Sequence, residues 1–181
     1  DLATALDAWP ALALLAKPLL HAYPGLLAGQ HRVLLDDGRV RLDLWWEDAA
    51  EALQDLADRE QQLVDAWYLD GFAPSHNATM WTAPLLKTAA ALSRPGASFA
   101  TFTVAGQVRR NLADAGFQVE KVAGYGRKRE CLRGRLEKLQ TPATRSHLSP
   151  WDIPIRTPDR PAHVLVVGGG HAGISAAVEL K

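Results

Sequence analysis

Apolar positions along this chain fall into two rhythms, one of helical spacing and one of strands. Residues 2–22 are rich in Leu and Ala at helical intervals. Pro10 breaks that run, and its missing N–H suits the first turn of a second helix. Two β-prone runs follow, Arg32-Val33-Leu34-Leu35 and Val40-Arg41-Leu42-Asp43-Leu44-Trp45-Trp46, around Asp36-Asp37-Gly38-Arg39. An Asp-Gly step tolerates positive φ, so the spacing predicts a hairpin. Residues 49–56 read as a short helix. Val64-Asp65-Ala66-Trp67-Tyr68-Leu69 is apolar enough for a buried parallel strand, and it stops abruptly at Asp70-Gly71-Phe72-Ala73-Pro74.

Downstream, residues 78–93 predict a helix in which Thr82 is placed to cap and Pro84 is tolerated early. Arg94-Pro95-Gly96 predicts a turn, residues 98–103 a strand, and residues 106–115 a helix stopped by Gly116. Residues 117–125 and 131–136 predict two strands joined by the basic turn Gly126-Arg127-Lys128-Arg129-Glu130. Strands alternating with helices imply an α/β fold with a mostly parallel sheet, helices on both faces and an antiparallel edge. Residues 139–162 hold five of the eleven prolines and little periodicity, which reads as a linker. Behind it, His163-Val164-Leu165-Val166-Val167 runs into Gly168-Gly169-Gly170-His171-Ala172-Gly173. A strand feeding G-x-G-x-x-G and then a helix is the phosphate-binding start of a dinucleotide fold, so a second domain is expected to begin here and to continue beyond Lys181.

Composition is that of a globular chain, with 48% hydrophobic and 22% charged residues. No run approaches the length of a membrane span, and no segment resembles a signal peptide. The single Cys131 excludes an internal disulfide and fits a reducing, cytoplasmic setting. The formal net charge of zero hides a gradient. Residues 1–65 carry twelve acidic against five basic side chains, a balance of −7, whereas residues 121–138 carry seven basic against two acidic, a balance of +5. A split of this kind points to a polyanion at the basic end, although a solvated charged loop is the commoner meaning of one such run.

In open α/β sheets, ligands lie beyond the carboxyl ends of the strands. Asp48, Asp70 and Thr103 stand at such ends. Asp48 precedes a helix, so an N-cap and a hydrogen bond to an exocyclic amine are equally good readings. Asp70 precedes an irregular stretch instead, which favours a site role: accepting or positioning a proton on a substrate amine. Gly71 would let a ligand approach the backbone. Phe72 and Trp81 could stack a base, though core packing is the more frequent fate of such residues. His76 and Asn77 could line the same pocket, but loop polarity explains them equally. Gly168, Gly170 and Gly173 would serve the tight turn, the pyrophosphate and close helix packing. The six His are scattered and one Cys cannot build a thiolate site, so no metal is expected.

Together, Asp65-Ala66-Trp67-Tyr68-Leu69-Asp70-Gly71-Phe72-Ala73-Pro74, Met80-Trp81, Ala100-Thr101-Phe102-Thr103, Val108-Arg109-Arg110, Ala115-Gly116-Phe117 and Gly126-Arg127-Lys128-Arg129-Glu130 resemble the MnmC-type family of bifunctional tRNA-modification enzymes. The resemblance spans almost the whole chain, including the proline-rich linker and the glycine motif. It implies residues 1–138 as the C-terminal part of a class I, Rossmann-like methyltransferase and residues 163–181 as the truncated start of an FAD-dependent oxidoreductase. The implied methyltransferase uses S-adenosylmethionine to methylate the aminomethyl nitrogen of the wobble 5-aminomethyl-2-thiouridine. The implied oxidoreductase first removes a carboxymethyl group from the same nitrogen. By the same resemblance Asp70 is the catalytic acid, Gly71 and Phe72 shape its pocket, and Asp48 meets the cofactor's adenine. Arg127, Lys128 and Arg129 would face phosphates of the tRNA anticodon stem-loop, and Gly168, Gly170 and Gly173 would form the FAD pyrophosphate turn.

The family's Gly-Phe-Gly-Thr-Gly cofactor loop and its acidic ribose ligand do not occur in these residues. The expectation is therefore a fragment of an enzyme that by itself holds neither cofactor tightly, the alternative being a catalytically incomplete tRNA-binding module. An unrelated flavin or nicotinamide oxidoreductase is a third reading, opposed by the Leu-Asp-Gly-Phe-Ala-Pro segment.

Overall fold

A computed structural model describes residues 2–137, apart from 26, 60, 61, 125 and 127, together with the backbone of residues 164–167. The expected linker and the glycine turn lie outside the described residues. The chain begins with α1 (Leu2–Asp7), a 3-10 turn at Pro10–Leu12 and α2 (Ala13–Ala22). Pro10 occupies the first turn of the 3-10 segment, as its missing N–H requires. The hairpin follows, with β1 (Gly29–Leu35) antiparallel to β2 (Val40–Trp46) in a two-stranded sheet of its own. Leu35 pairs with Val40, and the chain reverses between them through positive φ at Asp36, Asp37 and Gly38. Asp and Gly are the residue types that bear such angles at least cost.

Next come α3 (Ala49–Arg59), β3 (Val64–Leu69), a 3-10 turn at Thr79–Trp81, and α4 (Ala83–Leu92). The chain continues through β4 (Ser93–Thr101), α5 (Gly106–Asp114), β5 (Phe117–Ala123) and β6 (Glu130–Leu136), and β7 (Val164–Val167) is the last described element. The main sheet has the order β5-β6-β4-β3-β7. β3 runs parallel to both β4 and β7, whereas β6 runs antiparallel to both β4 and β5. The sheet is thus mixed, with β6 the one reversed strand and the β5–β6 pair forming the expected antiparallel edge. The apolar strand expected to open a second domain is the other parallel neighbour of β3, with Leu69 opposite Val167.

The turn expected at Arg94-Pro95-Gly96 lies instead within β4, as a bulge. Between Val64↔Ser93 and Ala66↔Ser98 the partner advances five positions while β3 advances two. Gly96 takes up the reversal at φ 78°. Pro has no N–H to give a ladder, so a bulge is where a sheet can hold it. Arg94 staples this bulge to the start of β3 through Asp65 Oδ2 at 2.8 Å and the Gln62 carbonyl at 3.0 Å.

The core lies between this sheet and helices α3, α4 and α5. Leu86, Leu92, Val108, Leu112 and Leu132 are fully enclosed, and Phe99 meets Phe117 edge to face at 5.3 Å between centroids. At the centre Trp67 is buried, and its indole N–H donates to Ser93 Oγ at 2.8 Å. That hydroxyl in turn donates to the Ala89 carbonyl at 2.8 Å, which ties the end of α4 to the middle of β3. Trp46 differs: packed edge-on against Tyr23 at 5.8 Å, its buried Nε1 has no acceptor among the described residues. Burial also raises the pKa of the Tyr23 phenol.

β6 has to cross Phe99, and a glycine allows it. A Cβ on Gly134 would overlap the Gln118 carbonyl oxygen and the edge of the Phe99 ring. Gly134→Ala is therefore expected to destabilise the protein by about 1–3 kcal/mol, read as a shift in the urea midpoint with an unchanged slope. Ser93→Ala should lose about 1–3 kcal/mol by leaving the buried indole N–H of Trp67 without an acceptor. Adding Trp67→Phe should return part of that loss, and a double variant as unstable as the sum of the singles would show the bond to be irrelevant.

Candidate functional site

β3 and β4 are parallel neighbours, so the loops leaving Leu69 and Thr101 open at the same end of the sheet. That end is where an open α/β sheet presents ligand-binding groups. The first loop is held at its root. Asp70 N donates to the Tyr68 carbonyl at 3.0 Å, while His76 N and Asn77 N both donate to the Ala73 carbonyl at 2.8 and 3.1 Å. The loop is pinned from below by Trp81, whose indole N–H donates to the Phe72 carbonyl at 2.8 Å. Trp81 is itself buried and anchored from α5, where Asn111 Nδ2 donates to its carbonyl at 2.8 Å. Asn111 Oδ1 accepts from Gln107 Nε2 at 2.8 Å, so the buried amide is used at both ends.

Asp70, Gly71 and Phe72 are thus brought together in one turn supported by core residues. Asp70 and Gly71 line a very small cavity of about 10 Å³ with Leu53, Met80, Trp81 and Leu85. A volume of this size holds at most one water. A Cβ on Gly71 would meet Met80 Cε at 3.4 Å and Trp81 Cζ2 at 3.7 Å, both ordinary contacts, so the backbone path alone does not require glycine there. The two aromatics of the loop part company. Trp81 is core, whereas Phe72 is 73% exposed and available to a ligand. His76 and Asn77 are engaged locally, by Ser75 Oγ at 3.1 Å and Thr79 Oγ1 at 2.7 Å.

Asp48 stands at the start of α3. Its Oδ1 accepts from Ala50 N at 2.9 Å and its carbonyl accepts from Ala52 N at 3.0 Å. The capping reading is therefore realised. A carboxylate has about four acceptor positions, and one cap bond leaves room for an exocyclic amine. Thr82, expected to cap α4, occupies the N-cap position but makes no cap bond, its hydroxyl donating to the Thr79 carbonyl at 3.3 Å instead.

The basic turn follows from the β5–β6 hairpin. Gly124 N donates to the Arg129 carbonyl at 3.0 Å. A Cβ on Gly124 would run into the Lys128 carbonyl oxygen and come within 2.9 Å of Glu130 N, so the turn closes onto a glycine. Lys128 and Arg129 lie beside the second strand-end loop, and with Phe102, Thr103, Val104 and Glu130 they line an open cavity of about 290 Å³. Arg127 falls outside the described residues, as do Gly168, Gly170 and Gly173. The positive charge of this region is only partly free. Lys121 pairs with Glu130 at 2.9 Å and Arg133 with Glu120 at 3.1 Å across the hairpin. Sequence reasoning placed Thr103 at a strand end but missed Phe102 as the wall of a pocket. The signal was present, since both residues follow a strand parallel to β3, but it needed the sheet order to be visible.

Among the described residues no cluster of three or more His, Cys, Asp or Glu is placed to hold a metal ion, and no helix is long and apolar enough to cross a membrane.

Residues 10–137 match a family described as S-adenosyl-L-methionine-dependent methyltransferase. The chain is 47% identical over 180 residues to the tRNA 5-methylaminomethyl-2-thiouridine biosynthesis bifunctional protein MnmC of Aeromonas hydrophila. That alignment takes in 99% of this chain and 26% of the relative, so the chain spans about a quarter of the protein it matches. A crystal structure of MNMC2 from Aquifex aeolicus superimposes with a TM-score of 0.54 at 20% identity, covering 91% of this chain and 48% of that one, a likeness of fold. With its α/β fold, its mixed sheet and a family match across most of its length, the chain belongs to the S-adenosyl-L-methionine-dependent methyltransferases.

Proposed function

We propose that this chain is part of a tRNA-modifying enzyme that methylates the aminomethyl nitrogen of the wobble 5-aminomethyl-2-thiouridine. Asp70 is proposed as its catalytic residue. The observation that carries the reading is the Asp70-Gly71-Phe72 turn, held at the carboxyl end of interior strand β3 by the Trp81 indole. The similarity to MnmC over nearly the whole chain supports the tRNA substrate. An FAD-dependent step that removes a carboxymethyl group from the same nitrogen belongs to the proposal for the longer protein, with Gly168, Gly170 and Gly173 as its pyrophosphate turn.

S-adenosylmethionine, when bound, supplies a methyl group on a positively charged sulfur. The residues present fit one side of its site. Asp48 retains acceptor capacity for the adenine amine beyond its cap bond, and Gly71 and Phe72 form the turn next to Asp70. A neutral amine nitrogen would take that methyl group while the sulfur keeps the electron pair of the broken bond. Asp70 would orient the substrate amine and accept its proton beforehand, so that the nitrogen lone pair is free to react. Lys128 and Arg129, with Arg127, are proposed to meet phosphates of the anticodon stem-loop, and the reaction is placed in the cytoplasm.

A second reading applies to the chain as it stands, as a tRNA-binding module that does no chemistry. One observation favours it, that the second edge of β3 is taken by Val164–Val167.

In the full-length parent, Asp70→Asn should lower methylation by about 10²–10⁴-fold with little effect on cofactor binding. Mass spectrometry of digested tRNA would then show the unmethylated aminomethyl nucleoside accumulating, and normal methylation would remove Asp70 from the mechanism. For the 181-residue chain, calorimetric titration with S-adenosylmethionine should show no micromolar binding. A micromolar isotherm would overturn the second reading.

A further inference from the structure

We propose that the cavity between the end of β4 and the basic turn is a subsite for one unpaired nucleotide of an RNA strand, its base on Phe102 and its phosphate on Lys128. The inference rests on the tRNA reading above and deepens it by naming residues that would hold the substrate.

Lys128 Nζ stands 5.2 Å from the centroid of the Phe102 ring, within cation–π range. Among the described residues neither Lys128 nor Arg129 has a carboxylate partner. The one acidic residue lining the cavity, Glu130, is held by Lys121 at 2.9 Å. The cavity therefore offers an aromatic ring and two cations without a carboxylate partner among the described residues, Lys128 resting over the ring, from which its flexible stem can swing to a phosphate as a base takes its place. Thr103 forms its buried floor, with Thr103 Oγ1 3.4 Å from Ala105 N, and Val104 forms an apolar rim. Its volume of about 290 Å³ lies at the small end of ligand pockets, the scale of a single nucleotide rather than a folded peptide.

Charge complementarity selects the occupant. A phosphate suits the ammonium and guanidinium, and a flat base suits the ring, since base stacking on aromatic side chains is sequence-tolerant. A duplex buries its bases in the stack and cannot present one to Phe102, so the strand must be single or locally opened. Position agrees with this. The cavity opens at the end of the sheet where Asp70 stands, because β3 and β4 are parallel, and Ala73 of the Asp70 loop is part of its wall. Phe72, which precedes Ala73 directly, is exposed.

The test is fluorescence anisotropy of the 181-residue chain with a labelled oligouridylate of about eight nucleotides, within the usual site size for single strands. Competitors are the same-length RNA duplex, uridine monophosphate and a polyglutamate peptide. Phe102→Leu keeps apolar bulk and removes the ring, and should weaken oligouridylate binding by about 5- to 100-fold without changing the salt slope. Lys128→Gln, an exposed change that leaves the core intact, should reduce that slope by about 0.7. The oligomer should outcompete both the duplex and the mononucleotide. Wild-type affinity in Phe102→Leu with an unchanged melting temperature, an unchanged slope in Lys128→Gln, or equal competition by duplex or polyglutamate would each overturn the proposal. The readout is independent of methyl transfer. Binding that depends on Phe102 would stand even if Asp70→Asn left methylation intact, and loss of methylation in Asp70→Asn would not rescue a Phe102 variant that binds normally.

Discussion

The interior of this protein turns on indole N–H groups that cannot reach water. Trp67 sits at the middle of β3, covered on both sides, and its one polar atom finds the Ser93 hydroxyl at 2.8 Å. Burying such a donor without an acceptor costs about 1–3 kcal/mol, a large fraction of a small domain's stability. Ser93 must therefore stand where α4 ends and β4 begins, and its own proton goes to the Ala89 carbonyl. The junction between helix and strand is set by this requirement. The bulge at Arg94-Pro95-Gly96 follows as the way for β4 to resume pairing with β3 after the junction.

A second indole applies the same requirement to the site. Trp81 donates to the Phe72 carbonyl, so the turn carrying Asp70 is fastened to the core by one bond from beneath. Asn111 extends the chain of contacts to α5. Such a mount suits the role proposed for Asp70, because a proton-accepting group misplaced by an ångström loses much of its effect. The basic turn is presented differently, with Gly124 letting the hairpin close on its own backbone at Lys128–Glu130. One end of the sheet thus combines a rigid acid with cations on a tight turn.

The charge gradient along the chain becomes more specific in three dimensions. Of the basic run at residues 121–138, Lys121 and Arg133 are committed to cross-strand pairs with Glu130 and Glu120. Both pairs are about half exposed, and pairs of that kind contribute little stability. Their consequence is to neutralise part of the hairpin, and of its described cations without an ion pair, Lys128 and Arg129 stand at the tip beside Phe102 while Arg135 stands on β6.

Features carried by contiguous residues were legible in the amino-acid sequence alone: the Asp36-Asp37-Gly38 reversal, the apolar run of β3, the break at Pro10 and the polar ends of strands where Asp48 and Asp70 stand. Each depends on backbone sterics or on a local hydrophobic period, which act over a few residues. The match of Leu-Asp-Gly-Phe-Ala-Pro to its family was legible for the same reason. Sheet order was not, because β6 entering between β5 and β4, and Val164–Val167 entering beside β3, depend on contacts between segments far apart in the chain. Nor could spacing separate Phe72 from Trp81. Both are aromatics of one loop, and only packing sends one into the core and leaves the other exposed. Asp48 and Phe102 mark the same limit. A carboxylate before a helix caps it wherever the N–H groups are free, whereas a ring at a strand end becomes a pocket wall only when a distant basic turn folds over it.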